Sequence, residues 1–203
     1  FREFPHSRVM VWAAFERGVR AITEFGRDGT LERWSSLRDE VRRDVEEHGF
    51  DRERNTYTQY FGGTEPDASL LVLPQVGFCE PDDPRMLGTV EAIERELLRD
   101  GLVLRYRTDE SVDGLPPGEH PFLACSFWLV EQYATSGRMD DARRLMDRLA
   151  RVVNDVGLLS EEYDPVGGHH VGNSPQGFSH LTLVRAADAI VAQQASPTQA
   201  VAR

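Results

Sequence analysis

Seven stretches of helical hydrophobic periodicity, of two alternating kinds, limit what this chain can fold into more than any other feature. They fall at about residues 7–25, 31–48, 67–76, 83–101, 122–135, 139–154 and 176–193. The odd-numbered stretches are apolar over much of their surface. The even-numbered ones keep a charged outer face: the second spaces Leu31, Trp34, Leu37, Val41 and Val45 along one stripe. The sixth does the same with Met139, Ala142, Leu145, Leu149 and Val152. Strand alternation is not evident. In a simple bundle every helix has one polar face, so an inner layer wrapped by an outer layer accounts for the alternation better.

Loop lengths alternate in step. The connections at 26–30, 80–83 and 136–138 are short, and those at 50–66, 102–121 and 155–175 are long. Each long loop therefore leads into an inner helix, and the three are expected on one face, where sites are usually built. The expected fold class is all-α, a partial (α/α)6 barrel, because seven helices cannot close six pairs. Residues 194–203 read as a flexible tail following one domain over 1–193.

Composition excludes some functions. With a net charge of −11 the chain is poorly suited to nucleic acid or to anionic membranes, and no apolar run reaches the length of a membrane span. All 23 basic residues are arginine, which reads as codon bias and not as chemistry. Cys79 and Cys125 lie in apolar segments and read as small core residues. The chain begins with Phe1, so the expectation is a processed protein or a fragment. For its compartment, which the sequence leaves open, the cytoplasm is favoured.

The long loops hold the candidate chemistry. Residues 157–180 read GLLSEEYDPVGGHHVGNSPQGFSH, with adjacent carboxylates at Glu161 and Glu162. Paired acids in a polar loop suit acid–base work such as glycoside hydrolysis, but from the pair alone the commoner reading is a pair of solvated surface glutamates. The three histidines, His169, His170 and His180, lack zinc-ligand spacing, and neither a metal nor a cofactor is expected. The loop before the third stretch carries Tyr57, Gln59 and Tyr60, aromatic and amide groups that suit a sugar ring or simply pack the loop. The middle loop carries Arg105, Tyr106, Asp109, Asp113 and Glu119. Its arginine suits sugar hydroxyls, a carboxylate partner or an ordinary surface ion pair.

Four stretches, taken in order, cover nearly the whole chain: HSRVMVWAAFERG, YTQYFGGTEPDASLL, the segment from LRYRTDE to GEHPFLACSFWLVEQ, and GLLSEEYDP followed by GNSPQGFSHL. On these the chain resembles glycoside hydrolase family fifteen, the glucoamylase, glucodextranase and bacterial trehalase group. The resemblance implies an (α/α)6 barrel and exo-acting cleavage of α-glucosides with inversion. It implies that Glu161, first glutamate of the family's S-E-x-(F/Y)-D stretch, is the general base. Arg105 then matches the substrate-clamping arginine, and Phe178 the aromatic that closes the glucose subsite. Tyr57, Gln59, Tyr60, Glu119 and Glu162 complete the expected sugar-binding set. The family's general acid stands in a W-E motif before the first helix, upstream of Phe1, and Glu3 is wrongly placed to replace it. The expectation is thus the C-terminal part of a catalytic domain, inactive alone, missing the N-terminal half of its barrel and prone to self-association. The alternatives are an inactive sugar-binding or interaction module, or a related sugar phosphorylase or isomerase.

Overall fold

The computed structural model describes residues 2–107 and 118–195. Pro5 opens the first helix, α1 (Pro5–Phe25), where its fixed φ suits the first turn and its missing N–H leaves no bond unmade. Gly26 ends it: a left-handed φ of 59° lets its N–H reach Ile22 O while the Arg27 N–H reaches Ala21 O. After this five-residue connection comes α2 (Leu31–His48), which packs on α1 and buries Val41 and Val45. Close approach of the pair depends on two glycines. A Cβ at Gly18 or at Gly29 would come within 2.9 Å or less of a neighbouring side-chain carbon, in both cases around the Trp34 ring.

The backbone divides into two compact units, Phe1–Ala92 and Ile93–Arg203. The first contains α1, α2 and the antiparallel pair β1 (Phe50–Asp51) and β2 (Thr56–Tyr57), with Phe50 opposite Tyr57. Two 3-10 turns follow at Ala68–Val72 and Pro74–Val76, and they bury Ala68, Leu70, Leu71 and Leu73. Asp67 caps the first turn by accepting from the Ser69 N–H at 2.8 Å. The helix expected over 67–76 is therefore two tight turns. Pro74 has no N–H to continue an α ladder, and Gly77 closes the run at φ 80°. Asp83 accepts from the Arg85 N–H at 2.8 Å at the start of α3 (Pro84–Leu97), within which the two units divide.

Strands correct the expectation of a chain without them. The second unit opens with β3 (Leu98–Arg99) and β4 (Leu102–Val103), so the fourth helix ends at Leu97 and does not run on to Gly101. Asp100 (φ 49°) and Gly101 (φ 75°) form the two-residue turn between these strands. Next is α4 (Leu123–Thr135), whose residues from Leu123 to Phe127 and from Leu129 to Val130 are all buried, the core of this unit. Around it pack α5 (Met139–Ala150), which buries Ala142, Leu145 and Leu149, and α6 (Gly177–Ala195). Between those two helices in chain order comes the pair β5 (Glu162–Asp164) and β6 (His169–Val171), in register Glu162–Val171, Tyr163–His170 and Asp164–His169. Runs of two or three paired residues are too short to show a period of two in sequence. Among the described residues no helix is long and apolar enough to cross a membrane.

Candidate active site

The second unit places its two long loops against each other. Phe122 bridges to Glu162, Leu123 N–H donates to Glu161 O at 3.0 Å, and Tyr163 N–H donates to Pro121 O at 3.1 Å. The segment before β5 is also held by the first turn of α6. Ser179 Oγ donates to Ser160 O at 2.8 Å, His180 Nε2 accepts from the Leu159 N–H at 3.1 Å, and Gln176 N–H donates to Leu159 O at 2.8 Å. Ser160 and Leu159 are fully buried. The backbone carrying the two glutamates is thus fixed from both sides.

The two carboxylates have different surroundings. Successive residues of an extended segment point to opposite sides, so neighbours in sequence need not share partners. Glu161 Oε2 accepts from Asn173 Nδ2 at 2.9 Å and from the Asn173 N–H at 3.2 Å, and the Glu161 N–H donates back to Asn173 O at 2.9 Å. Glu162 Oε2 instead accepts from the His120 N–H at 3.1 Å. Burial pushes the Glu162 carboxyl above its usual range, with the charges of Glu119 and Glu161 adding to the effect and the His120 N–H opposing it.

Next to Glu162, Arg105 Nη2 donates to Glu119 and, at 2.8 Å, to Tyr106 Oη. The guanidinium carbon stands 4.6 Å over the Tyr106 ring and 6.0 Å from the Phe122 ring centre. Phe178, 45% exposed at the start of α6, meets the half-buried Trp128 of α4 edge to face at 5.6 Å. Arg105, Glu119, Glu161, Glu162 and Phe178 therefore all belong to the second unit. Asp109 and Asp113 lie outside the described residues.

The histidines of this region serve the backbone and the β5–β6 turn. His170 Nε2 lies 2.5 Å from Val152 O, and His169 and His120 flank Asp164 at 3.8 and 3.9 Å. The Val166 N–H donates to Asp164 at 2.9 Å; backbone donors at Gly167 and Val166 hold this carboxyl below its usual range.

The first unit holds the remaining expected residues. Tyr57 is fully buried, edge-on to Phe50 at 5.1 Å and Phe78 at 6.5 Å, so it presents no ring to a ligand. Gln59, also buried, donates from Nε2 to Asp67 at 3.2 Å. Tyr60 is half-buried, with the Arg2 guanidinium 4.3 Å above its ring.

Two residues of the site were not read from sequence. Trp128 sits inside an apolar helix, where nothing separates a site-facing ring from a core ring. Asn173 reaches Glu161 only through the β5–β6 hairpin, 12 residues along the chain.

The second unit is a helical core whose loops bring together a carboxylate pair with different partners, an arginine and aromatic rings, and the matches to known proteins place the chain among the helical glycoside hydrolases. The chain belongs to glycosyl hydrolases family 15, whose family model matches residues 1–188. It is 43% identical over 185 residues to a trehalase of Mycobacterium tuberculosis, spanning 91% of this chain and 27% of that protein. A trehalase of Thermoplasma volcanium is 39% identical over 187 residues, spanning 92% of this chain and 30% of that one. This chain thus spans less than a third of the length of the curated trehalases it matches. Its fold matches a glycosidase solved in complex with glucose, with a TM-score of 0.79 at 18% identity, over 94% of this chain and 52% of that one. A family 15 glucoamylase from Hypocrea jecorina matches with a TM-score of 0.69 at 12% identity, over 94% and 42%.

Proposed function

We propose that this chain carries the general-base side of an inverting α-glucoside hydrolase acting on trehalose or a closely related glucoside. The observation that carries the reading is the inequivalence of the two glutamates within a family 15 chain. Glu161 is fixed through one carboxylate oxygen by the Asn173 donors, while burial and the charges of Glu119 and Glu161 push the Glu162 carboxyl upward. A base has to be ionised, and an upward shift works against Glu162 in that role. The trehalose assignment rests on 39–43% identity to two trehalases.

In this reading Glu161 takes a proton from the water that attacks the anomeric carbon. The leaving oxygen is protonated by a carboxylic acid supplied from outside residues 1–203, and the two carboxyls of an inverting pair stand roughly 6.5–9.5 Å apart. Arg105, Glu119 and Glu162 present donors and acceptors to glucose hydroxyls. Phe178, backed by Trp128, offers an apolar surface to one face of the sugar. Gln59 and Tyr60 shape the loop of the first unit, and the buried Tyr57 supports it from within.

The test is Glu161→Gln in the polypeptide that also supplies the acid. kcat for trehalose is expected to fall about 10²–10⁴-fold, the usual contribution of acid–base catalysis. Undiminished turnover would remove Glu161 from the base role. Glucose release by residues 1–203 alone at the full rate would place the acid within them.

A further inference from the structure

We infer that Asn173 is the positioning residue of the general base: it pins one oxygen of Glu161 so that the other is presented to the attacking water. The inference rests on the proposed base role of Glu161 and adds a residue to it.

Three hydrogen bonds join the two residues. The side-chain amide and the backbone N–H of Asn173 both donate to Oε2, and the Glu161 N–H donates to Asn173 O. Among the described residues Oε1 accepts no hydrogen bond. A carboxylate held this way loses rotation about its terminal torsion, which is otherwise broad. Which oxygen faces the water is then set before substrate arrives. Such pre-orientation matters in catalysis, because displacement of a reacting group by about 1 Å can cost on the order of 10²-fold in rate.

The preceding residue shapes the same cradle. Gly172 has a left-handed φ of 73°, and a Cβ there would stand 2.9 Å from Glu161 Oε2 and 3.1 Å from its Cβ. The chain can turn at 172 and bring the Asn173 donors onto the carboxylate only because no side chain intervenes. Leu123 N–H on Glu161 O and Ser179 on Ser160 O fix the opposite side. Asn173 itself is exposed, so burial of its side chain is a poor explanation for its contacts.

The experiment compares Asn173→Ala, Asn173→Asp, Glu161→Gln and the double variant Glu161→Gln/Asn173→Ala, in the polypeptide that supplies the acid, with trehalose as substrate. Asn173→Ala is expected to lower kcat about 10–100-fold with KM changed less than about twofold. Asn173→Asp keeps the shape but replaces a donor with an acceptor beside a carboxylate, and is expected to lower kcat further. The double variant should be no slower than Glu161→Gln alone, because the amide acts only through that carboxylate.

Added azide supplies a nucleophile with no proton to lose. It bonds to the anomeric carbon as the glycosidic C–O bond breaks, the acid protonates the leaving oxygen, and β-glucosyl azide forms without a base. Azide should therefore restore turnover to Glu161→Gln and to Asn173→Ala, and add little to the parent. The melting temperature of Asn173→Ala should match that of the parent.

Wild-type kcat in Asn173→Ala, a loss confined to KM or to thermal stability, or losses that add in the double variant would each overturn the positioning role. Full activity in Glu161→Gln would overturn the base assignment instead, so the two failures are distinguishable.

Discussion

Glu162 combines two burdens for a carboxylate: it is partly buried, and it has Glu119 and Glu161 as acidic neighbours, with one backbone donor at His120 in compensation. A carboxyl whose pKa is raised in the folded state holds its proton longer there than in the unfolded chain. Its contribution to stability is therefore greatest below the unfolded value, about 4.3, and falls as pH rises through the folded one. Glu162→Gln keeps an acceptor for the His120 N–H and removes the charge. Its melting temperature is expected to exceed that of the parent at pH 7, with the difference vanishing near pH 4. A difference that instead grew toward acid would show that the native site favours the ionised form. The sequence places Glu161 and Glu162 side by side, but the asymmetry between them depends on which way each side chain points where the chain enters β5. That is set by hairpin register, as is the meeting of Glu161 with Asn173. Tyr57 illustrates the same limit from the other direction: an aromatic residue in a polar loop reads as exposed, yet it is a core residue between Phe50 and Phe78.

Among the elements, the helices with a charged outer face are the most legible. The stretch at 31–48 matches α2 at both ends, because its apolar stripe has a helical period and Gly49 stops it. Where the period fails, so does the reading. The run at 67–76 is uniformly apolar and broken by proline, and it folds into 3-10 turns. The stretch at 83–101 conceals a hairpin, although its Asp100-Gly101 pair is the strongest kind of short signal for one. Gly101 is doubly constrained: its φ is 75°, and an added Cβ would stand 2.8 Å from Arg148 Nε. The Arg148 guanidinium also donates to Asp100 O, tying α5 to the turn. Gly101→Val is expected to cost about 1–3 kcal/mol, the range for a side chain forced into the left-handed region. Urea unfolding monitored by circular dichroism measures it, and an unchanged midpoint would mean that the turn relaxes freely.

At the scale of the whole molecule, two opposing terms decide how the chain behaves in solution. Helix α6 exposes Phe178, Leu181, Val184 and Val191, spaced by three and then seven residues along one side, while its Arg185 pairs with Glu131 of α4 at 2.7 Å. An apolar stripe on a helix favours covering by another apolar surface, at roughly 25 cal/mol per Å² removed from water. The net charge of −11 opposes contact between copies. Salt screens the repulsion, since the Debye length falls from about 10 Å at 0.1 M to about 3 Å at 1 M, and leaves the apolar term in place. Residues 1–203 are therefore expected to be largely monomeric at low ionic strength and to self-associate as salt and protein concentration rise. Light scattering across a salt series measures this. Leu181→Glu/Val184→Glu should abolish the salt-driven association without changing the helical circular dichroism, because both side chains are exposed. Association that weakened with salt would assign the contact to ion pairs, and a strict monomer at 1 M salt would show that the exposed stripe is too narrow to hold two copies together.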